Sequence, residues 1–317
     1  LRRDRLDPVA LYSTKNRQRV NKVDYDGNVI PFITREDRVT ESSIGVFFSN
    51  EIQWNDWLRH IVGVRGDHFR FNVNSDHPQN SGAANDSLAS PKLSLIFGPW
   101  AKTEYFVNIG RGFHSNDARG TTISVDPGTG NVVDADGNPV KKVDPLVRTL
   151  GYELGLRSEI LPNVQTSIAL WRLKQDSELL FVGDAGITEA SRPSQRTGLE
   201  WEIHYTPQPW LFFDFEFAAN KARFTNNDPA GNRIPGAVER VITASATIDN
   251  FNRWSAALKF RYFGPRPLKE DNRFRSRSTA LTNLQGGYRF NNHWKIRLDV
   301  FNVFNRKHHD IDYAYES

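Results

Sequence analysis

Residues 294–300 read Trp-Lys-Ile-Arg-Leu-Asp-Val. Successive side chains of a strand point to opposite faces, so Trp294, Ile296, Leu298 and Val300 share one side and Lys295, Arg297 and Asp299 the other. The stretch reads as a strand with one apolar and one charged face. The same pattern recurs upstream. Thr197, Leu199, Trp201, Ile203 and Tyr205 oppose Arg196, Glu200, Glu202 and His204. Leu211, Phe213, Phe215 and Phe217 oppose Asp214 and Glu216. Tyr152, Leu154 and Leu156 oppose Glu153, Arg157 and Glu159. Ala256, Leu258, Phe260 and Tyr262 oppose Ser255, Lys259 and Arg261, and Ala101, Thr103, Tyr105, Val107 and Ile109 oppose Lys102, Glu104 and Asn108. Residues 164–174 alternate less cleanly and read as a change of phase. Helical periodicity is nearly absent.

The connections carry the second signal. Short turns are expected around 51–55, 98–100, 161–163, 206–209, 250–253 and 290–293, and long polar loops at 71–87, 114–145, 176–193, 223–237 and 264–278. Short and long alternate, so the chain reads as an up-and-down antiparallel meander with its long loops at one end. About twelve strands follow, each near the ten-residue length that crosses a tilted bilayer.

Composition narrows the classes. The chain has 317 residues, 38% hydrophobic and 12% aromatic, with Trp 8, Tyr 9 and Phe 21, which is not a disordered composition. Its net charge is +4 and its pI about 9.2, a mild basic bias that is no nucleic-acid footprint. No run of 18 apolar residues offers a transmembrane helix. With Cys 0, disulfides, thiolate nucleophiles and Cys-based zinc sites are excluded. With Met 0, and with Leu1-Arg2-Arg3-Asp4-Arg5 unlike a signal peptide, the chain reads as an internal piece of a longer protein.

A soluble sandwich and a membrane barrel both fit alternation. Three features favour the barrel: long uniform strands, a densely charged polar face suited to a wet or plugged lumen, and aromatics beside the short turns. The aromatics are Trp54 and Trp57, Trp100, Trp210 and Phe212, Phe251 and Trp254, and Phe290 and Trp294. That placement makes an aromatic girdle at one interface. The expected fold is an all-β, antiparallel, up-and-down transmembrane β-barrel.

Three stretches carry a family resemblance. Residues 108–120 read Asn-Ile-Gly-Arg-Gly-Phe-His-Ser-Asn-Asp-Ala-Arg-Gly, residues 182–200 contain Gly-Asp-Ala-Gly and Ser-Arg-Pro-Ser-Gln-Arg, and residues 299–307 read Asp-Val-Phe-Asn-Val-Phe-Asn-Arg-Lys. Together they resemble the C-terminal barrel of TonB-dependent outer-membrane receptors, the last being similar to that family's penultimate-strand signature. The resemblance implies a barrel of about 22 strands with a plugged lumen. Residues 1–317 are then one incomplete barrel domain, with the plug, the TonB box and the final strand outside them. It further implies a multi-pass place in the cell outer membrane and energy-coupled uptake of a scarce nutrient such as a ferric siderophore. The implied partners are the TonB complex (through the N-terminal region), the nutrient, and outer-membrane lipid and lipopolysaccharide. No cofactor is implied. A passive porin-like channel is the alternative, distinguished by the absence of a plug and a TonB box.

No motif argues for an enzyme. His114-Ser115-Asn116-Asp117 holds the residue types of a hydrolase, but neighbouring residues point apart, and no Gly-x-Ser-x-Gly elbow occurs. Arg111, His114, Asn116, Asp117 and Arg119 are expected instead to bind ligand or to tie the strand end to its loop or to a plug. Asp134-Ala135-Asp136-Gly137-Asn138 and Asp24-Tyr25-Asp26-Gly27-Asn28 lack the closing Glu of a calcium loop and read as turns. His308-His309-Asp310-Ile311-Asp312 reads as a solvated loop rather than a metal site. Glu153, Arg157, Glu159, Glu200, Glu202, Asp214, Glu216, Lys259, Arg261, Lys295, Arg297 and Asp299 are expected to line the lumen. Arg266, Lys269, Arg273, Arg275 and Arg277 form a basic loop suited to lipopolysaccharide or an anionic ligand. It offers no stacking platform for nucleic acid.

Overall fold

The computed structural model describes residues 2–5, 13–15, 18–20, 37–127, 130–133, 137, 139–182, 187–308 and 312. Twelve strands follow one another: β1 (Asp37–Asn55), β2 (Leu58–Ser75), β3 (Gly82–Trp100), β4 (Thr103–Ser115), β5 (Leu146–Ser158), β6 (Val164–Gln175), β7 (Ser194–Gln208), β8 (Leu211–Phe224), β9 (Arg240–Phe251), β10 (Trp254–Phe263), β11 (Thr279–Arg289) and β12 (Lys295–Val300). They lie side by side in sequence order in one antiparallel sheet, and the short strand Arg2–Arg5 adds to β1 at its edge. The two edges are not paired to each other, so the sheet is an open wall. Ser13–Lys15 with Gln18–Val20, and Leu179–Val182 with Ile187–Ala190, form two separate hairpins.

Register carries the alternation across the whole wall. The row Val107, Leu154, Leu170, Leu199 and Ala219 runs directly across five strands, and Tyr105, Leu156, Ile168, Trp201, Phe217 and Ile242 across six. These side chains have no protein layer over them: Leu154 is 54% exposed, Leu170 53% and Val107 40%. An apolar face of that extent is unstable in water and suited to lipid. The stretch 164–174 keeps its phase after all. Ile168 and Leu170 lie in the apolar rows, and Trp171 stands on the polar face because Gly198, opposite it, leaves the space. A Cβ at Gly198 would come within 2.6 Å of the Trp171 ring, and one at Gly155 within 2.4 Å of the Phe106 ring. Each aromatic covers the glycine beside it.

The tight turns sit at the girdle end. Asn252 and Arg253 have φ of 48° and 73°, and Ala101 and Lys102 of 47° and 57°, the handedness that matches strand twist in a two-residue hairpin. The girdle aromatics pair across neighbouring turns: Trp57 with Trp100, Trp210 with Phe251, and Trp254 with Tyr288. Two expectations are corrected. The first turn falls at residues 56–57 rather than 51–55, and the loop expected at 71–87 is mostly strand. β2 runs to Ser75 and β3 starts at Gly82, joined by a six-residue connection that holds the 3₁₀ turn Pro78–Asn80. Ala83, Asn85 and Ser87 are poor strand formers, yet their backbones complete the ladder with β2, and such tertiary pairing overrides propensity.

Candidate functional site

Burial concentrates at the long-loop end, in two polar assemblies each set on a small apolar cluster. The first begins with Phe71, Val73, Ala118 and Leu146, packed with Val39, Phe69, Leu88 and Phe113. Helix α1 (Ala118–Thr122), in the loop between β4 and β5, covers the upper ends of β1, β2 and β3. Asp117 caps it: its Oδ1 accepts from the Arg119 backbone N–H at 3.0 Å and from Arg119 Nε at 2.9 Å. This bond raises the Arg119 pKa further above its usual range, and Asp37 adds to the effect. Asn116 is buried and donates through Nδ2 to the Asp144 carbonyl at 2.6 Å.

Asn80, 1% exposed, closes this assembly. Its Oδ1 accepts from the backbone N–H groups of Ser124 and Val125 at 2.8 and 2.9 Å, and its Nδ2 donates to the Val125 carbonyl at 3.0 Å. The Asn80 backbone carbonyl accepts from Thr122 Oγ1 at 2.8 Å. The loop after β4 is thereby fastened to the β2–β3 connection. Sequence reasoning did not single out Asn80, because nothing local distinguishes it from other loop asparagines.

The second assembly ties the three remaining outer loops together. Glu178 is 5% exposed and accepts from Ser194 Oγ and from Arg196 Nη2. His114 of β4 lies within electrostatic reach of it. Arg192 crosses to the loops after β8 and β10. It pairs with Glu270, approaches Asp228 at 3.4 Å, donates to the Gly231 carbonyl at 3.2 Å and covers the Phe224 ring at 4.1 Å. Glu239 accepts from Arg233 at 2.9 Å and from Arg275 at 2.5 Å. Backbone bonds from Arg233 to Glu270 and from Gly236 to Pro267 complete the bracing. The Ser-Arg-Pro-Ser-Gln-Arg stretch thus supplies Ser194 and two of the four arginines of this assembly, Arg192 and Arg196; Glu178 and Glu270 carried no sequence signal. Above it lies a polar depression of about 450 Å³ lined by Asn226, Asp228, Asn232, Glu270 and Asn272, among others.

Of the five expected loop-base residues, the structure brings Asn116, Asp117 and Arg119 together, all engaged in fastening their loop. His114 makes no part of that group and lies within electrostatic reach of Glu178. Arg111 stands apart, exposed and opposite Leu150. The calcium-like stretches 134–138 and 24–28 and the run 308–312 lie wholly or mostly outside the described residues. Among the described residues no group of three or more His, Asp or Glu is placed to hold a metal ion. The polar wall face holds Glu104 bound to Arg157 at 3.1 Å, His204 bound to Asp214 at 2.8 Å, and Glu202 directly opposite Glu216.

A wall of consecutive antiparallel strands, apolar toward lipid, charged on the other face and braced by long loops at one end, defines an outer-membrane β-barrel. The family described as TonB dependent receptor-like, beta-barrel matches residues 5–303, and the chain belongs to it. That family consists of receptors rather than enzymes. The pesticin receptor of Yersinia enterocolitica serotype O:8 / biotype 1B is 22% identical over 324 residues, covering 96% of this chain and 45% of that protein. The pesticin receptor of Yersinia pestis shows the same identity and coverage. The chain thus spans a little under half the length of the curated relatives it matches. Among solved structures, the ferric yersiniabactin uptake receptor FyuA from Yersinia pestis superposes with a TM-score of 0.66 at 18% identity, over 86% of this chain and 42% of that one. The ferric-catecholate import receptor Fiu from K12 E. coli gives 0.64 at 14%, over 89% and 43%. At these identities the structural likeness concerns the fold.

Proposed function

We propose that this chain is the C-terminal part of the barrel of an energy-coupled outer-membrane receptor that takes up a scarce nutrient, a ferric siderophore being the reading we favour. The single observation that carries this is the braced, polar loop end standing on a lipid-facing wall. Loops tied to one another by Arg192, Glu239 and Asn80 present a pre-shaped surface, which lowers the ordering cost of capturing a dilute ligand. The relatives named as uptake and import receptors support the ligand class. In this reading a plug contributed from elsewhere in the protein occupies the charged wall face and the TonB complex displaces it.

The test uses the complete reading frame, expressed in a host stripped of its own siderophore receptors. Uptake of a radiolabelled ferric siderophore that disappears on deletion of TonB is the expected result. Ligand-independent ion conductance in a planar bilayer, with no TonB-dependent uptake of any ferric chelate, would establish the porin-like alternative instead.

A further inference from the structure

The outward face of the wall changes character abruptly toward the loop end. Above the row Val107, Leu154, Leu170, Leu199 and Ala219, the next row reads Ile109, Tyr152, Arg172, Thr197 and Lys221, and the one above it Arg111, Leu150, Lys174, Gln195 and Arg223. Arg148 holds the same phase at the next pair up, and Arg240, at the first residue of β9, continues the Ala219 row with a cation. No register shift interrupts these pairings, so the basic residues stand on the lipid-facing side, not in the lumen. Arg111, Arg148, Arg172, Lys174, Lys221 and Arg240 are all exposed. Arg172 bonds the neutral Gln195, and none of the six pairs with a carboxylate among the described residues, although Asp176 lies at the margin of the group. By contrast Arg157 on the opposite face and Arg192, Arg233 and Arg275 in the loops are all ion-paired.

Height fixes what the belt meets. Arg111 and Arg172 stand eight residues along their strands from the turn-side ends Thr103 and Val164; Arg148, Lys174 and Lys221 stand ten from theirs, and Arg240 eleven. At about 3.3 Å per residue and a tilt near 45°, they rise roughly 19–26 Å above the turns, to the upper edge of the apolar band of an outer-membrane barrel. The belt therefore lies where the outer leaflet's headgroups begin. We infer that Arg111, Arg148, Arg172, Lys174, Lys221 and Arg240 form a docking surface for the phosphate groups of lipopolysaccharide in that leaflet. Charge complementarity carries the choice, since six unneutralised cations on a lipid-facing side call for an anionic headgroup. The loop 264–278, where a lipopolysaccharide contact was expected, is less suited: Arg275 is bound to Glu239, and Arg273 lies 3.4 Å from Asp271.

The inference rests on the membrane position of the wall and not on transport, so its test is independent of nutrient uptake. The full-length receptor would be purified in detergent and its binding to lipopolysaccharide measured, alongside a variant carrying Arg111→Gln, Arg172→Gln, Lys174→Gln and Lys221→Gln. Binding is expected to fall by at least about tenfold. It should hold in a control with Arg273→Gln and Arg277→Gln, and return when the same four positions all carry Lys or Arg in exchanged order. Circular dichroism and heat-modifiable gel migration check that each variant is folded; should the fourfold variant fail to fold, Arg172→Gln with Lys174→Gln replaces it, with a smaller drop expected. Unchanged binding in a folded belt variant overturns the proposal. So does equal binding of the native protein to dephosphorylated lipopolysaccharide, or to phosphatidylglycerol vesicles as tightly as to lipopolysaccharide.

Discussion

Asn80 and Arg192 each hold together segments far apart in sequence. Asn80 satisfies three backbone groups of the segment that follows α1 and is itself almost fully enclosed. Asn80→Ala leaves two backbone donors and a carbonyl without partners, a loss of about 1–3 kcal/mol confined to that loop. Hydrogen exchange should show residues 118–126 losing protection while the ladder between β1 and β2 keeps its own; uniform protection would sink this role. Glu178 makes a parallel case. Glu178→Ala strands the Arg196 guanidinium and the Ser194 hydroxyl in a largely buried setting. Limited proteolysis should then cut within 176–193 at least several-fold faster than in the native protein, and equal cleavage rates would refute the assignment. Neither role was legible in the sequence, because hydrogen bonds between residues 45 positions apart leave no periodic trace. Arg192 and Arg196 were legible only as parts of a familiar-looking stretch.

The strand is the scale at which sequence speaks most clearly here, since a period of two is written directly into residue order. Two substitutions test the faces. Leu154→Arg, in the middle of the lipid-facing rows, should destabilise the barrel by about 2–4 kcal/mol. Glu202→Gln, on the other face and opposite Glu216, removes a like-charge contact and should be neutral or slightly stabilising. Denaturant unfolding in lipid vesicles measures both, and a reversed ranking would show that the faces are assigned the wrong way round. Gly198 and Trp171 test the packing of the charged face. Gly198→Val should cost about 1–3 kcal/mol through its clash with the indole, and a background of Trp171→Ala should recover only part of that cost, because the Ala219 carbonyl lies 2.9 Å from the same Cβ position. The phase change expected at 164–174 arose because Trp171 is apolar yet stands on the polar face. The glycine opposite it, on another strand, is what permits this.

Across the whole molecule, the outer loops act as a braced set and not as independent arms. The chain has Cys 0, so once any cysteine elsewhere in the receptor is replaced by Ser, Asn227→Cys and Asn272→Cys can carry a pair of spin labels. Both positions border the same depression. One narrow distance distribution is expected in the native receptor, broadening when Arg192→Ala removes the link between loops; a broad distribution from the outset would remove the pre-shaped surface on which the proposed capture of ligand relies.

Residue order by itself determined the strands apart from the upper ends of β2 and β3, their two faces, most of the alternation of short and long connections, and the girdle, because each depends on near neighbours or on the pairing of adjacent strands. It also carried the family resemblance. Tertiary structure alone decided which loop residues fasten which loops, why Trp171 is tolerated among charges, and that Arg111 joins Arg172, Lys174 and Lys221 in a belt on the lipid side. Those facts depend on register summed across several strands and on contacts closed over long separations. A one-residue change in pairing would leave each strand's own pattern intact and reverse the face it presents to the membrane.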